Sequence, residues 1–240
     1  MKSITIATPF FNEEEGLDNF FSTLKKINEL LKNLIDVKYL FIDDGSIDKT
    51  KSKLIEFKNA NQNLDIKIFF HKTNKGYGKT LQNSIILSET DFLITYDSDC
   101  TYDYRLIEKL IKMIQTDKAD IINVSYKLAQ KEMDVSYLRK ILSWGSSLVY
   151  KTIFPEIKKY NISVLTCSFR IYDINKIKHI ELKSNDFNCC AELLIKSMKK
   201  KLIITEIAGE NIGRKFGESK MKILRNIFNT LKTIILIKLD

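Results

Sequence analysis

Short apolar runs alternate with amphipathic stretches along the first half of the chain, a pattern typical of strands connected by helices. Residues 76–88 predict a helix, and Pro9 is expected to end the first strand. Another helix is predicted by apolar residues spaced three and four apart: Leu17, Phe20, Phe21, Leu24, Ile27, Leu30, Leu31 and Leu34. The predicted strands are residues 3–8, 37–42, 66–70 and the run into Asp97. This order predicts an α/β protein with a parallel sheet between helices.

Polar residues follow three of the predicted strands, at positions 9–13, 43–46 and 97–99. The carboxyl ends of parallel strands lie at one edge of a sheet, where ligands bind in open α/β folds. Asp97 and Asp99 would point to the same side in extended backbone. Two such carboxylates suit Mg²⁺ or Mn²⁺ together with a diphosphate, and the alternative is a solvated acidic turn.

Two common nucleotide-binding motifs are missing from the sequence. Gly78-Lys79-Thr80 resembles the end of a phosphate-binding loop, but that motif needs glycine where this chain has Thr73. No GxGxxG follows the first strand, which argues against a dinucleotide-binding fold.

Composition adds less than the motifs do. The 240 residues are 44% hydrophobic, enough for one sizeable domain, and carry a net charge of +9. Abundant lysine, isoleucine and asparagine can reflect genome base composition, so we discount the charge and expect no nucleic-acid partner. The four cysteines lack CxxC spacing, which argues against zinc and favours a reducing compartment.

The expected location is cytoplasmic, at the cytosolic face of a membrane. The chain begins with a strand-like run instead of a secretory signal. It contains no run of about 18 uncharged apolar residues, so no membrane-spanning helix is predicted.

Four N-terminal segments together resemble glycosyltransferase family 2, whose members have the GT-A fold. The segments are residues 8–14, 41–50, 74–79 and 96–99. Three later segments are similar to the dolichol-phosphate mannose synthase branch: residues 166–172, 192–196 and 214–220. The resemblance extends from residue 1 to about residue 225. It implies a nucleotide-diphosphate sugar as donor and a polyprenyl phosphate as acceptor.

The resemblance implies that four residues surround the donor nucleoside: Pro9, Phe11, Glu13 and Asp43. A core position for Phe11 remains an alternative. Asp44 could instead be a turn residue, since Asp-Gly is a turn signal.

The resemblance makes Asp97 and Asp99 the metal-associated pair, with Asp97 also near the nucleotide sugar. Many relatives have glutamine where this chain has Thr101, which leaves a third protein ligand open. Asp103 could replace it, or could begin the next helix.

Three cations are candidates for phosphate binding: Arg139, Arg214 and Lys220, with Arg214 also counted as catalytic. Solvated basic surfaces are the alternative for all three. The branch often has Asp and Gly where this chain has Val164 and Ser168, which weakens the transfer of acceptor preference.

Glu192 would be the residue to test as a base for a hydroxyl acceptor, unless it simply pairs with Lys196.

Residues 1–218 are predicted to form the catalytic domain and residues 219–240 an amphipathic helix. Its apolar residues are Leu224, Ile227, Phe228, Leu231, Ile234 and Ile235, against the polar residues Lys222, Arg225, Asn226, Asn229, Lys232 and Thr233. This helix would contact a membrane surface, contact a membrane-anchored partner, or cover the domain.

The leading hypothesis is an inverting transferase that moves mannose or glucose to a polyprenyl phosphate. The alternatives are a family 2 transferase acting on a saccharide hydroxyl and a non-catalytic nucleotide-sugar-binding or scaffold protein.

Overall fold

A computed structural model describes residues 2–116, 118–129, 145, 148–213 and 223–239. Its seven strands, β1 to β7 in chain order, are Ser3–Phe10, Asp36–Asp43, Ile66–Phe70, Phe92–Thr95, Ile121–Ser125, Arg170–Asp173 and Ile204–Ala208. They form one sheet in the order β3-β2-β1-β4-β6-β5-β7. Only β6 runs antiparallel to its neighbours, β4 and β5. The predicted mostly parallel sheet is confirmed.

Helices cover both faces of the sheet. The helices α1 to α8 that we label are Leu17–Leu31, Thr50–Ala60, Tyr77–Leu87, Leu106–Thr116, Glu156–Tyr160, Ile174–Ile177, Cys189–Lys199 and Ile223–Lys238. The backbone is also helical at 148–153, and Lys127–Ala129 form one 3₁₀ turn. One apolar core contains Leu17, Phe20 and Ile111, and the other contains Leu81, Leu194 and Ile237.

The prediction that Pro9 ends the first strand is wrong, because β1 continues to Phe10 and Pro9 pairs with Ile42. The carbonyl of Ala7 accepts a bond from the amide of Tyr96, so odd-numbered residues here face β4. Strand β4 ends at Thr95, and the missing N–H of Pro9 therefore leaves no ladder bond unmade.

The C-terminal helix α8 packs on the domain, but its buried face differs from the apolar face predicted from the sequence. Thr230, Thr233, Ile234 and Ile237 are buried, although Thr233 was assigned to the polar side. The hydroxyl of Thr230 donates to the side-chain oxygen of Asn188 at 3.0 Å. The exposed apolar stripe of α8 contains Phe228, Leu231 and Ile235, and the exposed Leu239 directly follows the helix. Helix α8 therefore covers the domain with one face and presents an apolar stripe on another.

None of the helices in the described part of the chain is both long and apolar enough to cross a bilayer. The predicted boundary between residues 218 and 219 lies outside the described residues.

Asp91 links the start of β4 to the start of β1, and we expect its charge to make stability depend on pH. Its carboxylate accepts the backbone N–H of Ser3 at 2.7 Å, which lowers the pKa of the Asp91 carboxyl below its ordinary value. A carboxylate with a lowered pKa stabilises the fold above its ordinary pKa, and this contribution disappears as pH falls through the lowered value.

Asp91→Asn should therefore reduce stability at pH 7 by at most about 1 kcal/mol, since the group is exposed. The difference in Tm should begin to narrow below about pH 4 and close as pH falls through the lowered pKa of Asp91. Thermal melts between pH 3 and 8 measure this, with Glu56→Gln on the exposed side of α2 as control. A difference that does not change with pH would contradict the assignment.

Candidate active site

The loops after β1 and β2 are joined by reciprocal hydrogen bonds. The amide of Asn12 donates to the Ser46 hydroxyl at 2.9 Å, and the amide of Ile47 donates to the Asn12 side chain at 2.9 Å. The amide of Glu13 donates to the Thr50 hydroxyl at 2.8 Å. Two of the predicted polar clusters thus form one rigid rim at the carboxyl ends of these strands.

The two aromatic residues at the end of β1 have different environments: Phe10 lies in the core and Phe11 at the rim. Phe10 is buried and meets Phe20 and Phe41 edge to face, with ring centroids 5.2 and 5.4 Å away. Phe11 and Pro9 are only partly buried. Phe10 is therefore a core residue, and the partly buried Phe11 lies at the rim.

Asp43 ends β2 as a buried carboxylate, only 1% exposed. Its Oδ2 accepts the amide of Ser46 at 3.2 Å. Its Oδ1 is buried and has no hydrogen-bond partner among the described residues. A buried acceptor without a donor is costly, so this oxygen is suited to a hydrogen bond from a bound ligand.

Asp44 is the centre of a buried hydrogen-bond network that the sequence does not predict. It is buried and accepts Nδ1 of His71 at 2.6 Å and the amides of Lys75 and Gly76 at 2.8 and 2.9 Å. Nε2 of His71 lies 2.8 Å from the side-chain nitrogen of Asn83 on α3. This network ties the start of α3 to the rim; a lone histidine in the sequence carried no signal of it.

Close backbone packing fixes the start of α3. Gly76 has a φ of +89°, and a Cβ there would lie 2.0 Å from the carbonyl oxygen of Asn185. A Cβ on Gly78 would lie 1.8 Å from the carbonyl oxygen of Ser184. Only glycine fits at both positions, so the segment 184–185 closes over this side of the rim.

Asp97 and Asp99 lie in a turn, because β4 ends at Thr95. The turn is closed by the amide of Cys100, which donates to the carbonyl of Asp97 at 3.2 Å. Strand alternation therefore does not orient the two carboxylates, contrary to the sequence argument. Each has a donor instead: the Ser168 hydroxyl for Asp97, and the amide of Thr101, at 3.2 Å, for Asp99.

Asp103 does not complete a metal site in this conformation. Its carboxylate accepts the guanidinium of Arg105, with the closest contact at 2.5 Å, and this contact lowers the pKa of the Asp103 carboxyl. Asp103 lies three residues before Leu106, where α4 begins, and its carbonyl accepts the amide of Leu106 at 3.1 Å. In the described ranges, no group of three or more His, Cys, Asp and Glu side chains could hold a metal.

The segment that ends at Gly213 pairs with residues just after the acidic turn. The amide of Ile212 donates to the carbonyl of Thr101 at 2.8 Å, and Tyr102 forms an antiparallel bridge with Asn211. Residues 211 and 212 therefore lie against residues 101 and 102, directly after the acidic turn. Arg139, Arg214 and Lys220 themselves lie outside the described residues.

Glu192 is fully buried, and its carboxylate is already engaged. It accepts the amides of Lys183 and Ser184 at 2.9 and 2.8 Å and pairs with the ammonium of Lys196 at 2.8 Å. The expected pairing with Lys196 is present. A carboxylate held by three donors is unsuited to act as a general base.

The geometry defines an α/β protein of the GT-A fold, with acidic residues at the carboxyl ends of β2 and β4. The family model described as "Glycosyl transferase family 2" matches residues 5–180, well over half of the chain. The chain therefore belongs to glycosyl transferase family 2, and the resemblance inferred from its motifs is confirmed.

Two curated relatives match most of this chain. It is 25% identical over 235 residues to dolichol-phosphate mannosyltransferase of Pyrococcus furiosus, covering 95% of this chain and 64% of that protein. It is 23% identical over 220 residues to dolichyl-phosphate beta-glucosyltransferase of Dictyostelium discoideum, covering 85% and 65%. The chain thus spans just under two thirds of the length of these relatives.

A similar solved structure is glucosyl-3-phosphoglycerate synthase from Mycobacterium tuberculosis in complex with Mn²⁺, uridine diphosphate and glucosyl-3-phosphoglycerate. It superposes with a TM-score of 0.70 at 15% identity, covering 99% of this chain and 79% of that chain. At this identity the likeness establishes the fold alone.

Proposed function

We propose that this protein is an inverting glycosyltransferase that moves a hexose, mannose or glucose, from a nucleotide-diphosphate sugar to a polyprenyl phosphate. The observation that carries the proposal is the acidic turn at Asp97 and Asp99, on the same sheet edge as the buried Asp43, whose Oδ1 has no hydrogen-bond partner among the described residues. Family membership supports glycosyl transfer. The names of the two relatives support a lipid phosphate as acceptor.

The donor nucleoside would bind at the rim of β1 and β2. Oδ1 of Asp43 would accept a hydrogen bond from the base, since it has no donor among the described residues. Phe11 and Pro9 would supply partly exposed apolar surface, and Glu13 would face the ribose.

Asp97 and Asp99 would hold Mg²⁺ or Mn²⁺ with the donor diphosphate. Two carboxylates without a third described protein ligand fit these ions, because Mg²⁺ in particular is often bound by one or two carboxylates plus phosphates and water. When bound, the ion supplies positive charge to the leaving diphosphate. The protein's own contribution is to fix the acidic turn at the edge of the sheet.

The acceptor phosphate would need positioning rather than deprotonation, because it is anionic near neutral pH. The engaged state of Glu192 argues against the saccharide-hydroxyl alternative, which needs a base there. Arg139, Arg214 and Lys220 are the proposed phosphate-binding cations, and Arg214 follows the strand pairing beside the acidic turn within a few residues. In-line attack by the phosphate on the anomeric carbon would invert that centre.

The apolar stripe of α8 would bring the enzyme to the cytosolic face of the membrane that holds the acceptor. Phe228 and Leu239 are 69% and 78% exposed, and Lys232 and Lys238 lie on the same helix. An exposed apolar stripe with nearby lysines suits an anionic lipid interface.

Phe228→Ser with Ile235→Ser should reduce sedimentation with anionic vesicles, whereas Ile203→Ser, which removes an exposed isoleucine outside α8, should not. Unchanged sedimentation would contradict this role.

The proposal is tested by offering radiolabelled nucleotide sugars to purified protein with polyprenyl phosphate in detergent. We expect label in the organic phase with Mg²⁺ or Mn²⁺ and none with chelator. Retained anomeric configuration would contradict inversion. Nucleotide-sugar binding without lipid labelling would favour a hydroxyl acceptor, and no binding at all would favour the scaffold alternative.

A further inference from the structure

Ser168 is a residue whose side chain contacts the acidic turn although it comes from a distant part of the chain. Its hydroxyl donates to Oδ2 of Asp97. The two residues are 71 positions apart, so the contact depends on the fold and not on the local turn.

The backbone around Ser168 is held on both sides, so its hydroxyl has a fixed place. The Thr95 hydroxyl at the end of β4 donates to the carbonyl of Ser168. Two residues later, the guanidinium of Arg170 is fully buried and bonds to the carbonyls of Leu165 and Cys190. Arg170 also pairs with Thr95 across the β4–β6 ladder. Strand β6 thus positions Ser168 against Asp97 independently of any ligand.

Donors from the protein reach both carboxylates of the turn. Asp97 receives the Ser168 hydroxyl and Asp99 the amide of Thr101. Such donors reduce repulsion between neighbouring carboxylates and restrict their rotation before a cation arrives. Partners of this kind around metal-binding carboxylates commonly change metal affinity 10- to 100-fold when removed, as an order of magnitude.

We propose that Ser168 is a positioning residue that orients the Asp97 carboxylate for a divalent cation. This inference rests on the proposed metal role of Asp97 and Asp99. The proton stays on the Ser168 hydroxyl, and the oxygen of Ser168 does not contact substrate. Its effect is to raise the affinity of the acidic turn for Mg²⁺ or Mn²⁺.

The test is a titration of Mn²⁺ into purified protein, with free Mn²⁺ read from its electron paramagnetic resonance signal. Ser168→Ala should weaken binding by about tenfold. Ser168→Thr keeps the hydroxyl and should restore most of the affinity. Ser163→Ala is the matched control, because the Ser163 hydroxyl lies in the same loop but pairs with Ser125. It should bind Mn²⁺ like the wild type.

Equal Mn²⁺ affinity in Ser168→Ala and the wild type would overturn the proposal. A lowered Tm with unchanged affinity would do the same, since it would reveal a purely structural role. The transfer assay adds a second readout: the Ser168→Ala defect should shrink as Mn²⁺ rises. If the wild type binds Mn²⁺ in an Asp97-dependent way yet transfers no sugar to lipid, the proposed function fails while the role of Ser168 stands. If the wild type binds no Mn²⁺, both the metal assignment and the role of Ser168 are overturned.

Discussion

Asp99→Asn should reduce sugar transfer at least about 100-fold while leaving the fold intact, because it removes one of the two charges that would hold the cation against the donor diphosphate. Asn keeps the shape of the side chain and an oxygen that can accept the amide of Thr101. Initial rates at saturating donor and Mg²⁺, with a thermal melt of the same preparation, separate lost chemistry from lost folding.

Asp103→Asn is the matched control for this loss. It removes a carboxylate four positions further on, which pairs with Arg105 and has no assigned part in the reaction. Its rate should stay within about threefold of the wild type, since surface ion pairs contribute little. Equal rates in Asp99→Asn and the wild type would contradict the metal role and favour a non-catalytic protein.

Arg170→Met should produce the largest loss of stability. Its guanidinium is fully buried and donates to Asn123, to the Cys190 carbonyl and to the Leu165 carbonyl, at 2.6, 2.6 and 2.5 Å. The substitution leaves these three buried acceptors without their donor. We expect a loss of about 3–5 kcal/mol, in the range for breaking a buried charged network. In a chain of this size that lowers Tm by about 10 °C.

Arg105→Met provides the control, because its side chain is 74% exposed and pairs only at the surface with Asp103. Its free energy of unfolding should stay close to that of the wild type, because exposed ion pairs contribute little. Urea unfolding of both variants gives the comparison. Arg170→Met with wild-type stability would mean that the three acceptors find other donors, and β6 would not depend on this residue.

The strands, one helix and the acidic residues at the sheet edge could be predicted from the sequence, because each follows from a simple pattern of apolar and polar positions. Continuous apolar runs predicted the parallel strands, because a strand covered on both faces contains few polar residues. The acidic residues at positions 43 and 97–99 were found because polar side chains directly after such runs must lie at one edge of the sheet. The helix ending at Leu31 was found because its buried side chains repeat every three to four residues.

Features that depend on contacts between distant segments were not readable. The bond from Ser168 to Asp97 joins residues 71 positions apart, and the contact of Asp44 with His71 spans 27. Strand β1 can continue through Pro9 because β4 ends at Thr95, and the sequence around Pro9 does not show where β4 ends. The buried face of α8 was misjudged at Thr233, because its hydroxyl is satisfied at 2.8 Å by that of Ser184.

A lipid phosphate is the proposed nucleophile, and a matched pair of acceptors distinguishes it from a hydroxyl. Purified protein would receive the same labelled nucleotide sugar with either polyprenyl phosphate or the corresponding polyprenol, which differs only in the phosphate. We expect label in the lipid with polyprenyl phosphate alone, because the engaged Glu192 leaves no base at that position for a hydroxyl. Equal labelling of polyprenol, or labelling only of a soluble saccharide, would contradict the account.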